Sequence, residues 1–143
     1  MADVLVVGYG NDLRSDDGAG RWVADRIEEL DIAGVEVRSV AQLTPELAVA
    51  ISGRRLVVLV DASVDTEELT VSDIDPSKGS GVMSHHGDPG TVIAMAASVG
   101  TLPARAVLVS IPATELGMGF SMSRPTAAAA EQAVATIADL VLA

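Results

Sequence analysis

Cysteine is absent from this chain of 143 residues, and aromatic residues are scarce, with one Trp, one Tyr and one Phe. The lack of cysteine excludes disulfides, thiolate nucleophiles and thiolate metal ligands, so any metal ligands must be oxygen or nitrogen atoms. Hydrophobic residues still make up 49% of the sequence. The chain can therefore bury a sizeable core, which must be built from Val, Leu, Ile, Ala and Met.

Basic residues are also few, since nine Lys and Arg stand against 20 Asp and Glu, and they form no cluster. The formal net charge of −11 disfavours a basic face for nucleic acid or an anionic membrane. The N-terminal stretch "MADVLVVGYG" has only four consecutive apolar residues, too few for a signal peptide or a membrane span. We expect a cytoplasmic protein that binds neither nucleic acid nor membrane.

Short apolar runs alternate with helical stripes along the chain. The predicted strands are Val4–Val7, Val35–Val40, Leu56–Val60, a short edge strand Leu69–Ile74, and Ala106–Ser110. The predicted helices lie between Gly18 and Gly34, between Thr44 and Gly53, between Asp88 and Gly100, and from Ser123 through Val141. The order βαβαβ is typical of an α/β fold with a largely parallel sheet in three layers. We expect residues 1–143 to form a single domain.

Helix-start signals accompany three of these segments. Thr44 and Asp88 each directly precede a proline and are predicted to be N-caps. Ser123 and Pro125 are predicted to open the last helix. Between the edge strand and Asp88, the stretch 76–87 is rich in Gly, Ser and Pro and is predicted to be a mobile surface loop.

The loop "GYGNDLRSDDGAG", residues 8–20, follows the first strand and combines glycines with acidic residues. A dinucleotide site would need G-x-G-x-x-G, but Leu13 occupies the third glycine position, and Asp12, Asp16 and Asp17 would repel phosphate. A P-loop motif is absent as well. The two adjacent aspartates either cap the first helix or form part of a site.

Three further residues are candidates for chemistry. Asp61 follows five apolar residues at the carboxyl end of a central strand, where burying a carboxylate is costly unless it is paired or binds a cation. His85 and His86 are the only histidines, and one can act as a ligand while the other faces solvent, unless both are incidental. No H-E-x-x-H or G-x-S-x-G motif is present, which argues against a zincin or a serine hydrolase.

Asp17, Asp61 and His86 each follow a different predicted strand and should meet at one edge of a parallel sheet. Two carboxylates and an imidazole suit a borderline divalent ion such as nickel or zinc. Because such a ligand set leaves coordination positions open, the site is expected to receive a substrate there.

The residues match a known pattern. "GYGNDLRSDDGAG" fits G-x-G-N-x-L-x-x-D-[DE]-x-x-G, and "QLTPEL", "VVLVDAS", "SHHGDP" and "LGMGFSMS" follow in order. Over essentially its whole length the chain thus resembles the hydrogenase maturation proteases, endopeptidases that trim the C-terminus of the large subunit of nickel–iron hydrogenases. The resemblance implies an α/β/α sandwich with a mostly parallel sheet and one antiparallel edge strand.

The resemblance also implies roles. Asp17, Asp61 and His86 would be both the catalytic residues and the ligands of a nickel ion that arrives bound to the precursor. Asp17 stands where many members have Glu, and a shift of one residue would exchange His86 for His85. Another divalent metal could bind the isolated protein. Cleavage would proceed by water attack, with Asp16 or Asp61 as base, and the residues expected to contact the substrate are Asn11, Asp16, Gln42 and Thr44.

Two other functions remain open from the sequence. The same ligands could belong to a nickel-sensing chaperone or scaffold that holds the precursor without cutting it. The fold could also serve a protein that binds a small molecule or a nucleotide.

Overall fold

The computed structural model describes residues 2–78 and 88–143. The strands are β1 Val4–Tyr9, β2 Val35–Val40, β3 Leu56–Ser63, β4 Thr70–Asp73 and β5 Ala106–Pro112. The α-helices are α1 Ala19–Glu29, α2 Leu47–Ile51, α3 Pro89–Val99 and α4 Arg124–Leu142. Single 3-10 turns occur at Ser15–Gly18 and Pro76–Lys78.

The strands form one sheet in the order β2-β1-β3-β5-β4. Every neighbouring pair is parallel except β4 with β5, which is antiparallel at the edge. This arrangement confirms the predicted α/β fold with its mostly parallel sheet and antiparallel edge strand. None of the helices within residues 2–78 and 88–143 is long and apolar enough to cross a membrane.

Helices cover both faces of the sheet because the side chains of each strand alternate between two cores. Val4 and Val6 of β1 pack in one core with residues of α1 and α4, whereas Leu5 and Val7 pack in the other with residues of α2 and α3. The central strands β1 and β3 are buried on both faces. Their carboxyl ends therefore lie side by side between the two layers of helices.

Several element ends differ from the sequence predictions. β3 and β5 run on to Ser63 and Pro112 because their parallel pairing continues past Asp61 and Ser110. The prediction that Thr44 caps α2 is wrong: its carbonyl accepts from the Leu47 amide in a turn, and the helix begins without a side-chain cap. Asp88 does cap α3, since its carboxylate accepts from the Thr91 amide at 3.3 Å.

Two glycines of the first loop allow very close approach of backbone segments. A Cβ at Gly20 would overlap the carbonyl oxygens of Val60 and Tyr9, so α1 packs directly against the ends of β1 and β3. Gly10 has a φ of +146°, and a Cβ there would overlap the carbonyl oxygen of Asp17. The glycines thus bring the start of α1 against the sheet edge.

Gly20→Ala is expected to destabilise the fold, because the added methyl group meets two backbone oxygens that cannot move aside independently. We expect the free energy of unfolding to fall by about 1–3 kcal/mol, measured by urea denaturation. Gly117→Ala is the matched control, since a Cβ there meets only the end of the Glu115 side chain. Equal losses in the two variants would contradict the close-approach argument.

Candidate active site

A cavity of about 240 Å³ lies at the carboxyl edge of the sheet, where β1 and β3 end. Asp61 of β3 and Tyr9 of β1 line it, together with Asp17 and Arg14 of the first loop. The structure therefore brings together two of the predicted site residues, Asp17 and Asp61, which are far apart in sequence.

Asp61 is the largely buried carboxylate of this cavity. One oxygen, Oδ2, accepts a hydrogen bond of 3.2 Å from the Tyr9 hydroxyl. The other, Oδ1, is buried and has no hydrogen-bond partner among the described residues. Burial raises the pKa of Asp61 to about 6; the Ser110 and Tyr9 hydroxyls oppose this rise, and the charge of Asp17 adds to it. Asp61 can thus accept or release a proton near neutral pH.

Tyr9 was not predicted from the sequence. Burial raises the pKa of its hydroxyl far above the usual range, and the nearby charges of Asp61 and Asp88 raise it further. Tyr9 therefore remains a neutral hydrogen-bond donor to Asp61. The contact depends on the register of β1 and β3, in which Gly8 pairs with Val60 and the next residues along, Tyr9 and Asp61, are neighbours; the sequence alone does not give this register.

Asp17 reaches the cavity from the 3-10 turn before α1. Its Oδ2 accepts from the Asn11 backbone amide at 3.0 Å, which fixes the carboxylate against the loop. Asp17 also lines an adjacent cavity of about 340 Å³, whose wall includes Asn11 and Gln42. Of the predicted substrate-contacting residues, these two therefore lie beside Asp17, whereas Thr44 lines neither of the two cavities.

Asp16 has a different place from its neighbour. Its carboxylate has no exposed surface and accepts five hydrogen bonds, from the amides and hydroxyls of Thr114 and Ser123 and from the Glu115 amide. Burial raises its pKa, but the hydrogen bonds from Glu115, Thr114 and Ser123 outweigh this and hold the pKa well below the usual range. The earlier expectation that Asp16 contacts the substrate or serves as a base conflicts with this burial, and we assign it a structural role.

Neither aspartate caps α1, whose N-cap is Gly18 with no side-chain bond. Asp17 instead faces the two cavities, and Asp16 joins the first loop to residues 114–123. The capping alternative therefore does not account for either residue.

Arg14 is the one cationic side chain among the described residues that line the Asp61 cavity. Its Nε donates to the Leu116 carbonyl at 3.2 Å, which anchors the guanidinium at the cavity wall. The remaining guanidinium nitrogens give this acidic cavity a donor for a substrate carbonyl or carboxylate. Sequence reasoning missed this residue because a single Arg in a loop carries no spacing signal.

His85 and His86, and most of the predicted mobile loop 76–87, lie outside the described residues. Among residues 2–78 and 88–143, no group of three or more His, Asp or Glu is arranged to hold a metal ion. The three-ligand nickel set consequently stays a prediction. The donors that are described fit a divalent cation in kind: a buried carboxylate oxygen without a partner, and a second carboxylate lining the same cavity.

Asp16→Asn is expected to lower the free energy of unfolding at pH 7 by about 2–5 kcal/mol, because an amide nitrogen cannot accept the buried N–H and O–H groups. A carboxylate with a lowered pKa stabilises the fold above its unfolded pKa and loses this effect as the pH falls through the folded value. The wild type should therefore weaken below about pH 4, and the variant should lose less stability there.

Urea denaturation at pH 7 and pH 3.5 measures both effects. Asp12→Asn in the same loop is the control, since Asp12 is 54% exposed in its pair with Arg21 and should change stability by less than about 1 kcal/mol. A buried role for Asp16 is refuted if the two variants behave alike.

The effect of Asp61 on stability is expected to depend on pH in the opposite direction from that of Asp16, and Asp61→Asn tests this. Because the folded pKa of Asp61 is raised to about 6, its contribution to stability is complete below about pH 4 and is lost as the pH rises through 6. In chelator-treated wild type this loss is about 2 kcal/mol between pH 4 and pH 7.5. Asp61→Asn does not undergo this loss, so its stability should rise relative to that of the wild type between pH 4 and pH 7.5. Parallel pH profiles of the two proteins would contradict a raised pKa.

Searches by sequence give no match to a family model or to a curated protein. Solved structures, in contrast, match over nearly the whole chain. The structure of the [NiFe] hydrogenase maturation protease HycI from Thermococcus kodakarensis KOD1 has a TM-score of 0.77 and 26% identity, covering 99% of this chain and 94% of that one.

Two other structures are similar in the same way. The hydrogenase maturating endopeptidase HybD from Escherichia coli matches with a TM-score of 0.75 and 20% identity, over 94% of this chain and 88% of that one. A hydrogenase 2 maturation peptidase from Thaumarchaeota archaeon SCGC_AB-539-E09 matches with a TM-score of 0.73 and 24% identity, over 96% and 97%. The resemblance indicated by the sequence motifs is thereby confirmed: over nearly its whole length this chain is similar to the hydrogenase maturation proteases, which supports its prediction as a peptidase.

Proposed function

We propose that this chain is an endopeptidase that removes the C-terminal extension of a nickel–iron hydrogenase large-subunit precursor and uses the precursor-bound nickel as its recognition signal. The observation that carries the proposal is the pair Asp17 and Asp61 in one cavity, with Oδ1 of Asp61 buried and without a described partner. The fold and motif resemblance to proteases of hydrogenase maturation supports the same function.

Nickel enters this proposal as part of the substrate. The two carboxylates supply oxygen ligands to an ion that the precursor already holds, and an empty precursor lacks this interaction and binds less tightly. His86 would complete the set.

Hydrolysis would use a water molecule. Asp61 removes a proton as the water oxygen attacks the scissile carbonyl carbon; its pKa of about 6 belongs to the empty cavity, and the cation on the substrate would keep the carboxylate ionised. The same proton then passes to the leaving amine, and the Tyr9 hydroxyl keeps the carboxylate oriented throughout. Nickel on the substrate polarises the carbonyl. Asp16, which the sequence left as an alternative base, is enclosed by its five hydrogen bonds and is not used in this scheme.

The alternative function, a chaperone or scaffold, differs from the proposed peptidase in one step only. A scaffold would hold the loaded precursor through the same carboxylates and leave the peptide bond intact. The hydrogen bond from Tyr9, which holds the Asp61 carboxylate in one orientation, favours hydrolysis, because a base must be aligned with the attacking water whereas a scaffold needs only its charge.

The deciding measurement is the intact mass of the precursor, nickel-loaded and nickel-free, after incubation with wild type, Asp17→Asn, Asp61→Asn and Asp12→Asn. Wild type and the Asp12 control should release a defined C-terminal peptide from the loaded precursor only. Asp17→Asn should lose precursor affinity together with cleavage, since it removes a ligand for the ion. Asp61→Asn should reduce the cleavage rate by at least about 100-fold.

Complex formation without any change of mass would instead establish the scaffold function. Equal cleavage of nickel-free precursor would refute nickel recognition while leaving the peptidase function in place. A cytoplasmic location and the ability of the isolated protein to bind a divalent metal also stay predictions.

A further inference from the structure

A second groove, of about 600 Å³, continues from the Asp61 cavity along helix α4. Val64 and Ala113 line both spaces, so the groove and the cavity share a wall. Its floor is the end of β5 with the residues that follow it, and its sides are the segment 64–69 and the first two turns of α4. An extended peptide could therefore lie with one part in the groove and another part at Asp61.

The groove is built for a backbone rather than for a bulky side chain. Small residues of α4, Ala128 and Ala129, form much of one side. On the other side, the hydroxyl oxygen of Thr66 is buried and has no hydrogen-bond partner among the described residues. A buried hydroxyl without a partner lowers stability, and a peptide amide or carbonyl would satisfy it after rotation of the Thr66 side chain toward the groove.

The charged side chains among the described residues that line the groove are all acidic. Glu67 and Glu68 line it, and neither forms an ion pair with a described residue. No Lys or Arg of the described residues lines the groove. A segment with a positively charged side chain would meet two unpaired carboxylates there, whereas an acidic segment would be repelled.

From these observations we infer that the groove is a substrate subsite. It binds an extended segment that adjoins the bond cleaved at Asp61 and that carries a basic side chain facing Glu67 and Glu68. The segment's backbone hydrogen-bonds Thr66 and packs on Ala128. This inference rests on the proposed peptidase function, because it assumes that the same substrate also occupies the Asp61 cavity. Binding of a peptide in the groove can nevertheless be measured without cleavage.

The test is a titration of the ¹⁵N-labelled protein, followed by NMR, with the hexapeptide Ala-Val-Lys-Val-Ala-Ala, blocked at both ends. The amides of Thr66, Ala128 and Gln132 should shift on addition of this peptide. A matched peptide with Glu in place of Lys should bind at least about tenfold more weakly, and the difference should shrink in high salt. Equal shifts with both peptides, or no shift of the groove amides, would overturn the inference.

Ala128→Trp fills the groove from an exposed position and should abolish these shifts. Ala135→Trp is its matched control, since Ala135 is exposed two turns further along α4 and does not line the groove. If the Ala128 variant still binds the lysine peptide as the control does, the groove is not the binding site.

Thr66→Val separates a binding role from a structural one. Removing an unsatisfied hydroxyl should leave the free protein as stable as wild type or more so, while the lysine peptide binds about fivefold more weakly. A loss of stability without a loss of affinity would overturn the assigned role of Thr66.

Precursor cleavage distinguishes the two proposals. If wild type cleaves the loaded precursor and Ala128→Trp cleaves it equally well, the subsite is refuted and the peptidase function stands. If wild type cleaves nothing but the peptide titration maps to the groove, the groove binds peptide as inferred and the proposed hydrolysis fails. A charge reversal, Glu68→Lys, should favour the Glu peptide over the Lys peptide if the groove acts as inferred.

Discussion

The candidate site depends on one buried carboxylate that takes no part in it. Asp16 joins the 3-10 turn before α1 to the segment after β5 and to the first residue before α4. Backbone bonds reinforce this junction, because the amides of Ser15 and Asp16 donate to Gly119 and Glu115. The next residue, Asp17, is thereby held at the cavity, and Thr114 is held at the floor of the groove. A single interaction thus sets the distance between the acidic loop and the surfaces that would receive a peptide.

Asp61 lies in an electrostatic environment opposite to that of Asp16. Asp16 is surrounded by donors, so its negative charge is favoured, whereas Asp61 accepts a hydrogen bond of 3.2 Å from Tyr9 and its other oxygen has no partner among the described residues. At pH 7 this arrangement costs stability, because the carboxylate is ionised while one of its oxygens is buried without a described partner. A cation in the cavity would relieve both the missing partner and the repulsion from Asp17. The site is therefore least favourable when empty, which is the electrostatic condition for recognising a cation carried by another molecule.

The order of strands and helices was predictable because buried parallel strands appear as unbroken apolar runs and helices as apolar stripes. The location of Asp61 followed from its position after such a run. The separate roles of Asp16 and Asp17 were not predictable, since all five bonds to Asp16 come from residues 98 to 107 positions away along the chain. Tyr9 and Arg14 were missed for a related reason: each becomes part of the site only through the neighbouring strand or the segment after β5. α2 begins later than predicted: the Leu47 and Ala48 amides donate to the Thr44 and Pro45 carbonyls, and no side chain caps the helix.

The two acidic features differ in what they can discriminate. Asp17 and Asp61 lie in a small cavity, and their mutual repulsion makes them sensitive to a compact cation. Glu67 and Glu68 are exposed at the rim of a wider groove, where water screens them and a flexible basic side chain can be accommodated. The strong, short-range interaction of Asp17 and Asp61 with a cation would therefore depend on whether nickel is present. The weaker, longer-range interaction of Glu67 and Glu68 with a basic side chain would position the peptide. Because the two spaces share a wall, a substrate that satisfied only one of them would gain only part of the binding free energy, and specificity would arise from the requirement for both.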